Sequence, residues 1–239
     1  MILVYSVVPN GYAPFKINKE NNMLQMNLSA LLQKYNKIKR KGIIHVGGNI
    51  GEEIPLYKEL SFQKILIFEP ILSSFNSIPN ESGVYKINCA VGDTEGKIMM
   101  NVSRYKESNG TIKIGESSSI LTPKIHLTAY SGVEFLEKQE VDLITLDNWF
   151  RKTTLGISPT DFSCMVMDVQ GYESWVVRGA TNLLDNIEVI YSEVANTEIY
   201  ENNTHIANLD DQLARHGFVR KEYFLDPAGS GEAIYIKEI

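Results

Sequence analysis

The sequence contains little cysteine. Only Cys89 and Cys164 occur in 239 residues, far apart and each within an apolar stretch. Two such cysteines cannot build a disulfide framework or a zinc site, so we expect reduced core thiols in a cytoplasmic protein. No His, Cys and Asp residues have the spacing of a metal site, and we predict none. Mg²⁺ held by the carboxylates Asp168 and Glu193 stays open as an alternative.

An excess of positive charge is also missing, since the net charge is -6 and the isoelectric point is about 5.3. This balance argues against a nucleic-acid partner. The one basic stretch, residues 34–41, is mixed with apolar residues and is interpreted as the solvated face and tail of an amphipathic helix. The opening MILVYSVV is too short to cross a membrane and lacks the features of a signal peptide, so a strand is expected there. Nothing in the sequence indicates an oligomeric state.

Short apolar runs of β type alternate with helical patterns from residue 42 onward. The helical patterns EEIPLYKEL and YESWVVRGA follow the first and the fourth run. Such alternation predicts an α/β fold with a doubly wound, mostly parallel sheet, whose ligands bind at the carboxyl ends of the strands. The runs are GIIHV (42–46), KILIF (64–68), VYKINCAV (84–91), CMVMDV (164–169) and IEVIYSEV (187–194).

The end of the chain and a long internal interval complete the predicted organisation. A helix in ANLDDQLARHG precedes FVRKEYFL and GEAIYIK, which are expected to form an antiparallel strand pair. Residues 92–162 exceed what a crossover needs, and we predict a β-rich insertion there, with a hairpin at GKIMMNVS and a strand at VDLITL, that helps to choose the substrate. The predicted organisation is an N-terminal appendage of strand and helix (1–41) and a domain (42–239) that carries this insertion.

The glycine turn after the first run, Gly47-Gly48-Asn49-Ile50-Gly51, matches neither the dinucleotide fingerprint nor the P-loop. A turn that only closes a tight corner is the structural alternative to a ligand site. The second run ends in IFEP, which places Glu69 at a carboxyl edge some twenty residues later. An acid at that position can accept both hydroxyls of a ribose, so the pair of features fits a nucleoside without a pyrophosphate.

Six motifs in order resemble the FkbM family of methyltransferases, over roughly residues 42–239. The resemblance implies a Rossmann-like class I methyltransferase sheet, an enzyme, and S-adenosyl-L-methionine as its cofactor. Most members carry Asp where this chain has His45, but the first motif and the later SEVANTEIYE and GEAIYIK resemble a subgroup with His there. A purely structural role for His45, capping its own strand, stays open as the alternative to a cofactor contact. The motifs are HVGGNIGEE (45–53), IFEP (67–70), NCAVGD (88–93), SSSIL (117–121), TLDNWF (145–150) and MDVQGYE (167–173).

The resemblance assigns site residues within these motifs. Asp168 is expected to remove the acceptor's proton or to bind the methionine amine of the cofactor, and its alternative is a helix N-cap. Glu193, at the end of the neighbouring strand, is the second catalytic candidate, and a structural ion pair is its alternative. Glu173 is interpreted as favouring the helix dipole. The predicted cofactor-binding residues are His45, Gly47, Gly48, Asn49, Gly51, Glu69, Pro70, Ala90, Val91, Asp93, Ser118, Ser119, Asp168, Val169 and Gln170.

The resemblance implies an O-methyltransferase that acts on a sugar hydroxyl of a glycan or a glycosylated product. A deoxyhexose such as rhamnose is a narrower expectation. Two alternatives stay open: a non-catalytic module that scaffolds a glycan-modifying complex, and a small-molecule N-methyltransferase. Intact Glu69 and Asp168 argue against the first, and an N-methyltransferase would not need a strong base.

Overall fold

The structure is a computed structural model that describes residues 15–17, 24–26, 28–35, 38–106, 110–130 and 132–238. The opening segment MILVYSVV, for which a strand is predicted, lies outside these residues. The strands are β1 (Phe15–Ile17), β2 (Leu24–Met26), β3 (Gly42–Val46), β4 (Lys64–Phe68), β5 (Val84–Ile87), β6 (Ala90–Val91), β7 (Gly96–Lys106), β8 (Ile112–Ile114), β9 (Val133–Ile144), β10 (Cys164–Met167), β11 (Val189–Ala195), β12 (Phe218–Leu225) and β13 (Ser230–Lys237).

The helices are short, and most of them connect strands of the main sheet. None in the described part of the chain has the length and apolar character that a membrane crossing requires. The α-helices are α1 (Leu28–Lys34), α2 (Ile54–Glu59), α3 (Leu72–Ser77), α4 (His126–Ala129), α5 (Leu146–Lys152), α6 (Glu173–Arg178) and α7 (Ile206–Ala214), and two 3₁₀ turns cover Pro159–Asp161 and Leu183–Asn186.

The main sheet has seven strands in the order β12-β13-β11-β10-β3-β4-β5. All neighbours are parallel except those of β13, which runs antiparallel to β11 and β12. The mostly parallel α/β sheet and its C-terminal antiparallel pair are therefore confirmed. The chain reverses its winding between β3 and β10, and the crevice at their carboxyl ends is where such folds bind ligands.

Apolar layers cover both faces of this sheet. One layer contains α6 and α7 residues such as Val176 and Leu213, and the other contains Leu31 and Leu32 of α1 with Tyr57 of α2. Helix α1 thus packs directly on the sheet, and the domain boundary at residue 42 stays a prediction. The amphipathic helix expected over residues 34–41 is wrong for most of that stretch, since α1 ends at Lys34 and the described residues 38–41 are not helical. Their main chain is bonded to Glu188 and Ser163 instead.

The insertion and β6, which directly precedes it, form a second sheet of four strands in the order β6-β9-β7-β8. Its β-rich character agrees with the expectation, but two details differ. The run 84–91 is split between β5 in the main sheet and β6 in the second sheet, and GKIMMNVS is part of one long strand, β7, and not a hairpin by itself. β7 instead pairs along most of its length with β9, a partner distant in sequence.

Candidate active site

The glycine turn is shaped first by its contact with β10. Gly47 has a φ of 84°, and a Cβ atom there would lie 1.8 Å from the carbonyl oxygen of Asp168. The amides of Gly47 and Gly48 both donate to the carbonyl of Phe68, at 2.9 and 3.2 Å. These two N–H groups are therefore already used within the fold. The turn leaves room for a ligand by close approach of its backbone and not by offering these two donors.

Glu69 follows β4 and is tied to the glycine turn. One carboxylate oxygen accepts the amide of Asn49 at 2.8 Å, and the other accepts the amide of Ile71 at 2.7 Å. Burial raises the pKa of Glu69 to about 8, although both of these hydrogen bonds lower it and the charge of Asp168 raises it further. Each oxygen has a second acceptor position. A buried carboxylate of this kind can receive two hydroxyl groups of a ligand.

Asp168 and Glu193 lie at the ends of the neighbouring strands β10 and β11 and are bridged by one amide group. The Gln170 side-chain nitrogen donates to Asp168 at 2.8 Å and to Glu193 at 2.9 Å. Gln170 holds this position with a left-handed backbone, at a φ of 54°. Since a non-glycine residue in that region is uncommon, the turn after β10 is constrained where it presents the amide.

Both acids of this pair are disfavoured as anions. Asp168 is exposed on one side, but protein atoms crowd its other sides, and this desolvation raises its pKa while the Gln170 bond lowers it. Burial, followed by the charge of Asp168 and then that of Glu173, raises the pKa of Glu193 well above its usual range. Two close carboxylates in such surroundings tend to share one proton, with one of them ionised.

His45 points into the same region from β3. Its Nδ1 atom lies 3.0 Å from the hydroxyl of Tyr57, and burial lowers the pKa of His45 to about 4 although Asp168 raises it. Burial also keeps the Tyr57 hydroxyl protonated by raising its pKa. The imidazole is therefore neutral, and the contact of 3.9 Å between Nδ1 and Glu53 is not an ion pair.

A small pocket of about 10 Å³, room for about one water molecule, lies beside Glu193. Its polar lining includes Glu173, Tyr200, Asn203 and Ser230, and the Ser230 hydroxyl lies 3.4 Å from Glu193. Burial raises the pKa of Glu173 to about 8, against hydrogen bonds from backbone amides that lower it. The two acids that line this pocket, Glu173 and Glu193, therefore favour their protonated forms.

Several predicted site residues have structural partners elsewhere. Asp93 accepts a hydrogen bond of 2.8 Å from Arg178 at the end of α6. Ser118 and Ser119, expected at the rim of the site, are buried. Ser118 bonds to Ser103 of β7, whereas the Ser119 hydroxyl donates to the backbone carbonyl of Gln170 at 2.8 Å.

The remaining predicted residues lie near the site as parts of its frame. Pro70 is buried, and its carbonyl accepts the Asn88 side chain. Ala90 and Val91 form β6 and pair with β9. Val169 packs beside Gly47, because a Cβ atom there would lie 3.5 Å from the Val169 side chain. A cofactor role for these residues stays a prediction.

Tyr200 and Tyr57 are missing from the predicted site residues although they contact Gln170 and His45, and Glu173 is missing although it lines the same pocket as Glu193. Tyr200 lies within SEVANTEIYE, a segment quoted for its resemblance, and the Tyr200 hydroxyl is 2.8 Å from the Gln170 oxygen. That segment was the signal that could have found it. Tyr57 has no such signal, because it reads as one more apolar position of α2.

Comparison with known proteins yields one family and several similar chains. The Methyltransferase FkbM domain family matches residues 45–220. The 2-O-methyltransferase NoeI of Sinorhizobium fredii is 27% identical over 205 residues, which cover 82% of this chain and 80% of that protein. A magnesium protoporphyrin IX methyltransferase from Synechocystis with bound S-adenosylmethionine is 8% identical, with a TM-score of 0.41 over 87% of this chain and 76% of the other. For a putative S-adenosylmethionine-dependent methyltransferase from Listeria monocytogenes the identity is 7%, the TM-score 0.46 and the coverage 89% and 100%.

Proposed function

The chain belongs to the FkbM methyltransferase domain family and is an S-adenosylmethionine-dependent methyltransferase, and from this premise we propose that its acceptor is a hydroxyl group of a sugar. The observation that carries the proposal is the amide-bridged pair of Asp168 and Glu193 at the carboxyl-end crevice of the sheet. A sugar hydroxyl is a poor nucleophile until it loses its proton, so a poised carboxylate is what O-methylation requires.

The residues at the glycine turn fit the cofactor. Glu69 has one unused acceptor position on each oxygen, which suits the two hydroxyls of a ribose. Asn49 adds a side-chain oxygen that is buried and has no hydrogen-bond partner among the described residues. The bound cofactor supplies a methyl group on a positively charged sulfur. Glu69 would hold its ribose.

On the acceptor side, the acid pair has two tasks. One ionised carboxylate accepts the proton as the hydroxyl oxygen forms its bond to the methyl carbon. We assign this task to Asp168, and Glu193 stabilises the shared proton. NoeI, named as a 2-O-methyltransferase, supports oxygen as the methylated atom.

The acceptor class can be narrowed further. We place it among glycans and glycosylated products, with a deoxyhexose such as rhamnose as the narrowest form. We also propose that the protein is cytoplasmic, because both of its cysteines, Cys89 and Cys164, are free thiols and buried.

The test is methyl transfer from isotopically labelled S-adenosylmethionine to a panel of methyl glycosides and oligosaccharides. Mass spectrometry should find the mass of one labelled methyl group on at least one sugar, and NMR should place the label on an oxygen. Amines of similar size form the second arm of the panel. Transfer only to nitrogen would overturn the proposed acceptor, and cofactor binding without transfer to any member of either arm would favour a non-catalytic module.

A further inference from the structure

The Gln170 bridge depends on a residue outside the motif that carries it. The Tyr200 hydroxyl lies 2.8 Å from the side-chain oxygen of Gln170 and 2.9 Å from the backbone carbonyl of Ser117. Both neighbours are acceptors when the Gln170 nitrogen faces the acid pair. Tyr200 therefore stands on the far side of the Gln170 amide from Asp168 and Glu193.

The orientation of that amide follows from these partners. With the nitrogen toward Asp168 and Glu193, both N–H groups meet carboxylate oxygens and the oxygen meets a hydroxyl. A rotated amide would turn its oxygen toward two acids of which one is ionised, and the repulsion between acceptors would separate them. The hydroxyl donor thus selects the orientation in which the pair is bridged.

Tyr200 is itself held from several directions. Its ring packs against His126 with 5.3 Å between ring centroids, and its backbone N–H donates to the Asn203 side chain at 3.0 Å. Burial, then the charges of Glu193 and Asp168, raise the pKa of Tyr200 well above its usual range. The hydroxyl therefore keeps its proton, which it can donate.

We propose that Tyr200 is a positioning residue, whose hydroxyl fixes the Gln170 amide and thereby holds Asp168 and Glu193 in one bridged arrangement. The catalytic consequence rests on the proposed function, whereas the arrangement itself belongs to the free protein. Because the amide bonds favour ionised carboxylates, loss of the hydroxyl should move the titration of the pair to higher pH.

Other charged and titratable groups face this pair from every element around it, and none of them changes in Tyr200→Phe or Gln170→Met. Glu173 and Glu232 disfavour the charge on Glu193, whereas His45 and Glu53 act on Asp168 in opposite directions. The complete set is His45 on β3, Glu53 before α2, Tyr57 on α2, Glu173 on α6, Tyr191 on β11, Glu232 on β13 and Tyr130 after α4.

Tyr200→Phe is the test, since it removes the hydroxyl and keeps the ring. Tyr130→Phe is the matched control, because it removes another hydroxyl of the same aromatic cluster, one bonded to Asp226. The first measurement is NMR of the side-chain amide of Gln170 in the free protein across the pH range, with its signals assigned by their loss in Gln170→Met. The second is the pH dependence of kcat with the best sugar acceptor. Thermal unfolding confirms that each variant is folded.

Tyr200→Phe should raise the midpoint of the amide titration, move the acidic limb of kcat to higher pH, and lower kcat by roughly 10- to 100-fold. Gln170→Met should also move the acidic limb of kcat to higher pH. The double variant Gln170→Met, Tyr200→Phe should have the same kcat profile as Gln170→Met alone. An unchanged midpoint in Tyr200→Phe, an equal shift in Tyr130→Phe, or additive effects of the two changes would overturn the proposal. If no sugar is methylated but the amide titration shifts as expected, the proposed acceptor fails and the role of Tyr200 stands.

Discussion

The two halves of the crevice hold their carboxylates in different ways. Glu69, on the β4 side, is fixed by main-chain N–H groups of Asn49 and of its near neighbour Ile71. Asp168 and Glu193, on the β10 and β11 side, are bridged by a side chain. The first arrangement needs little beyond a strand and the turn beside it, whereas the second needs several distant segments.

This difference separates what each half can do. A carboxylate held by backbone amides in a rigid turn is suited to bind a constant ligand, such as the ribose of the cofactor. A carboxylate pair that shares a proton and accepts hydrogen bonds from the Gln170 side chain can change its charge, as proton transfer from an acceptor requires. We infer that affinity for the cofactor resides in the first half and proton removal in the second.

The largest expected effect is on the acid pair. Asp168→Asn keeps the shape of the side chain but removes a base, so single turnover with saturating cofactor should slow by about 10²- to 10⁴-fold. Glu193→Gln should slow it less, because Glu193 holds the shared proton. A rate near wild type for Asp168→Asn together with a severe loss for Glu193→Gln would exchange their roles.

The cofactor half should respond in affinity. Glu69→Ala should weaken binding of S-adenosylmethionine by roughly 1.5 to 3 kcal/mol, because it removes the acceptor of two ribose hydroxyl groups. Glu69→Gln, which keeps one acceptor oxygen, should lose less. Calorimetry gives both values, and Glu81→Ala, which removes a surface carboxylate paired with Lys58, serves as the control. Full affinity in a folded Glu69→Ala variant would remove Glu69 from the site.

Buried Glu173 should make stability depend on pH. Its pKa is about 8 in the folded protein and 4.5 in its ordinary state, so the folded chain holds the proton more tightly between these values. Its contribution to stability is therefore present below about 4.5 and is lost as the pH rises through 8. Glu173→Gln should reduce the loss of unfolding free energy between pH 5 and pH 9 by roughly 1 to 3 kcal/mol. Denaturant unfolding measures this, with exposed Glu140→Gln as control, and equal slopes in wild type and Glu173→Gln would refute it.

The smallest effect is expected outside both halves, at Asp93. Since Asp93 forms a partly exposed ion pair with Arg178, Asp93→Asn should cost at most about 1 kcal/mol of stability. Its cofactor affinity should equal that of Arg178→Gln, which breaks the same pair from the other side. A selective loss of roughly tenfold in Asp93→Asn would return Asp93 to the cofactor site.

Much of the cofactor half could be predicted from sequence, because its parts are local. Periodicity indicates β3 and β4, and the glycine turn and Glu69 each lie directly at the end of a strand. What sequence did not reveal is that the Gly47 and Gly48 amides are used by Phe68, because that bond joins two strands. The division of residues 84–91 between two sheets was missed for the same reason.

For the half of the crevice that holds Asp168 and Glu193, the sequence predicts the residues but not their arrangement. Asp168, Gln170 and Glu193 lie in or near quoted motifs, but the bridge between them depends on a left-handed backbone at Gln170 that no apolar pattern encodes. Ser119 and Tyr200 reach Gln170 from distant segments. Such contacts depend on how the insertion folds back, and pairing at long sequence separation is what a single sequence specifies least clearly.

The most direct test asks whether cofactor affinity and proton removal reside in different halves of the crevice. It measures the single-turnover rate against S-adenosylmethionine concentration for wild type, Asp168→Asn and Glu69→Ala. The account predicts a crossed result. Asp168→Asn should lower the plateau and leave the half-saturating concentration unchanged, whereas Glu69→Ala should raise that concentration and leave the plateau unchanged. If saturating cofactor restored the rate of Asp168→Asn, Asp168 would be a cofactor ligand, and the assignment of proton removal to its half of the crevice would be contradicted.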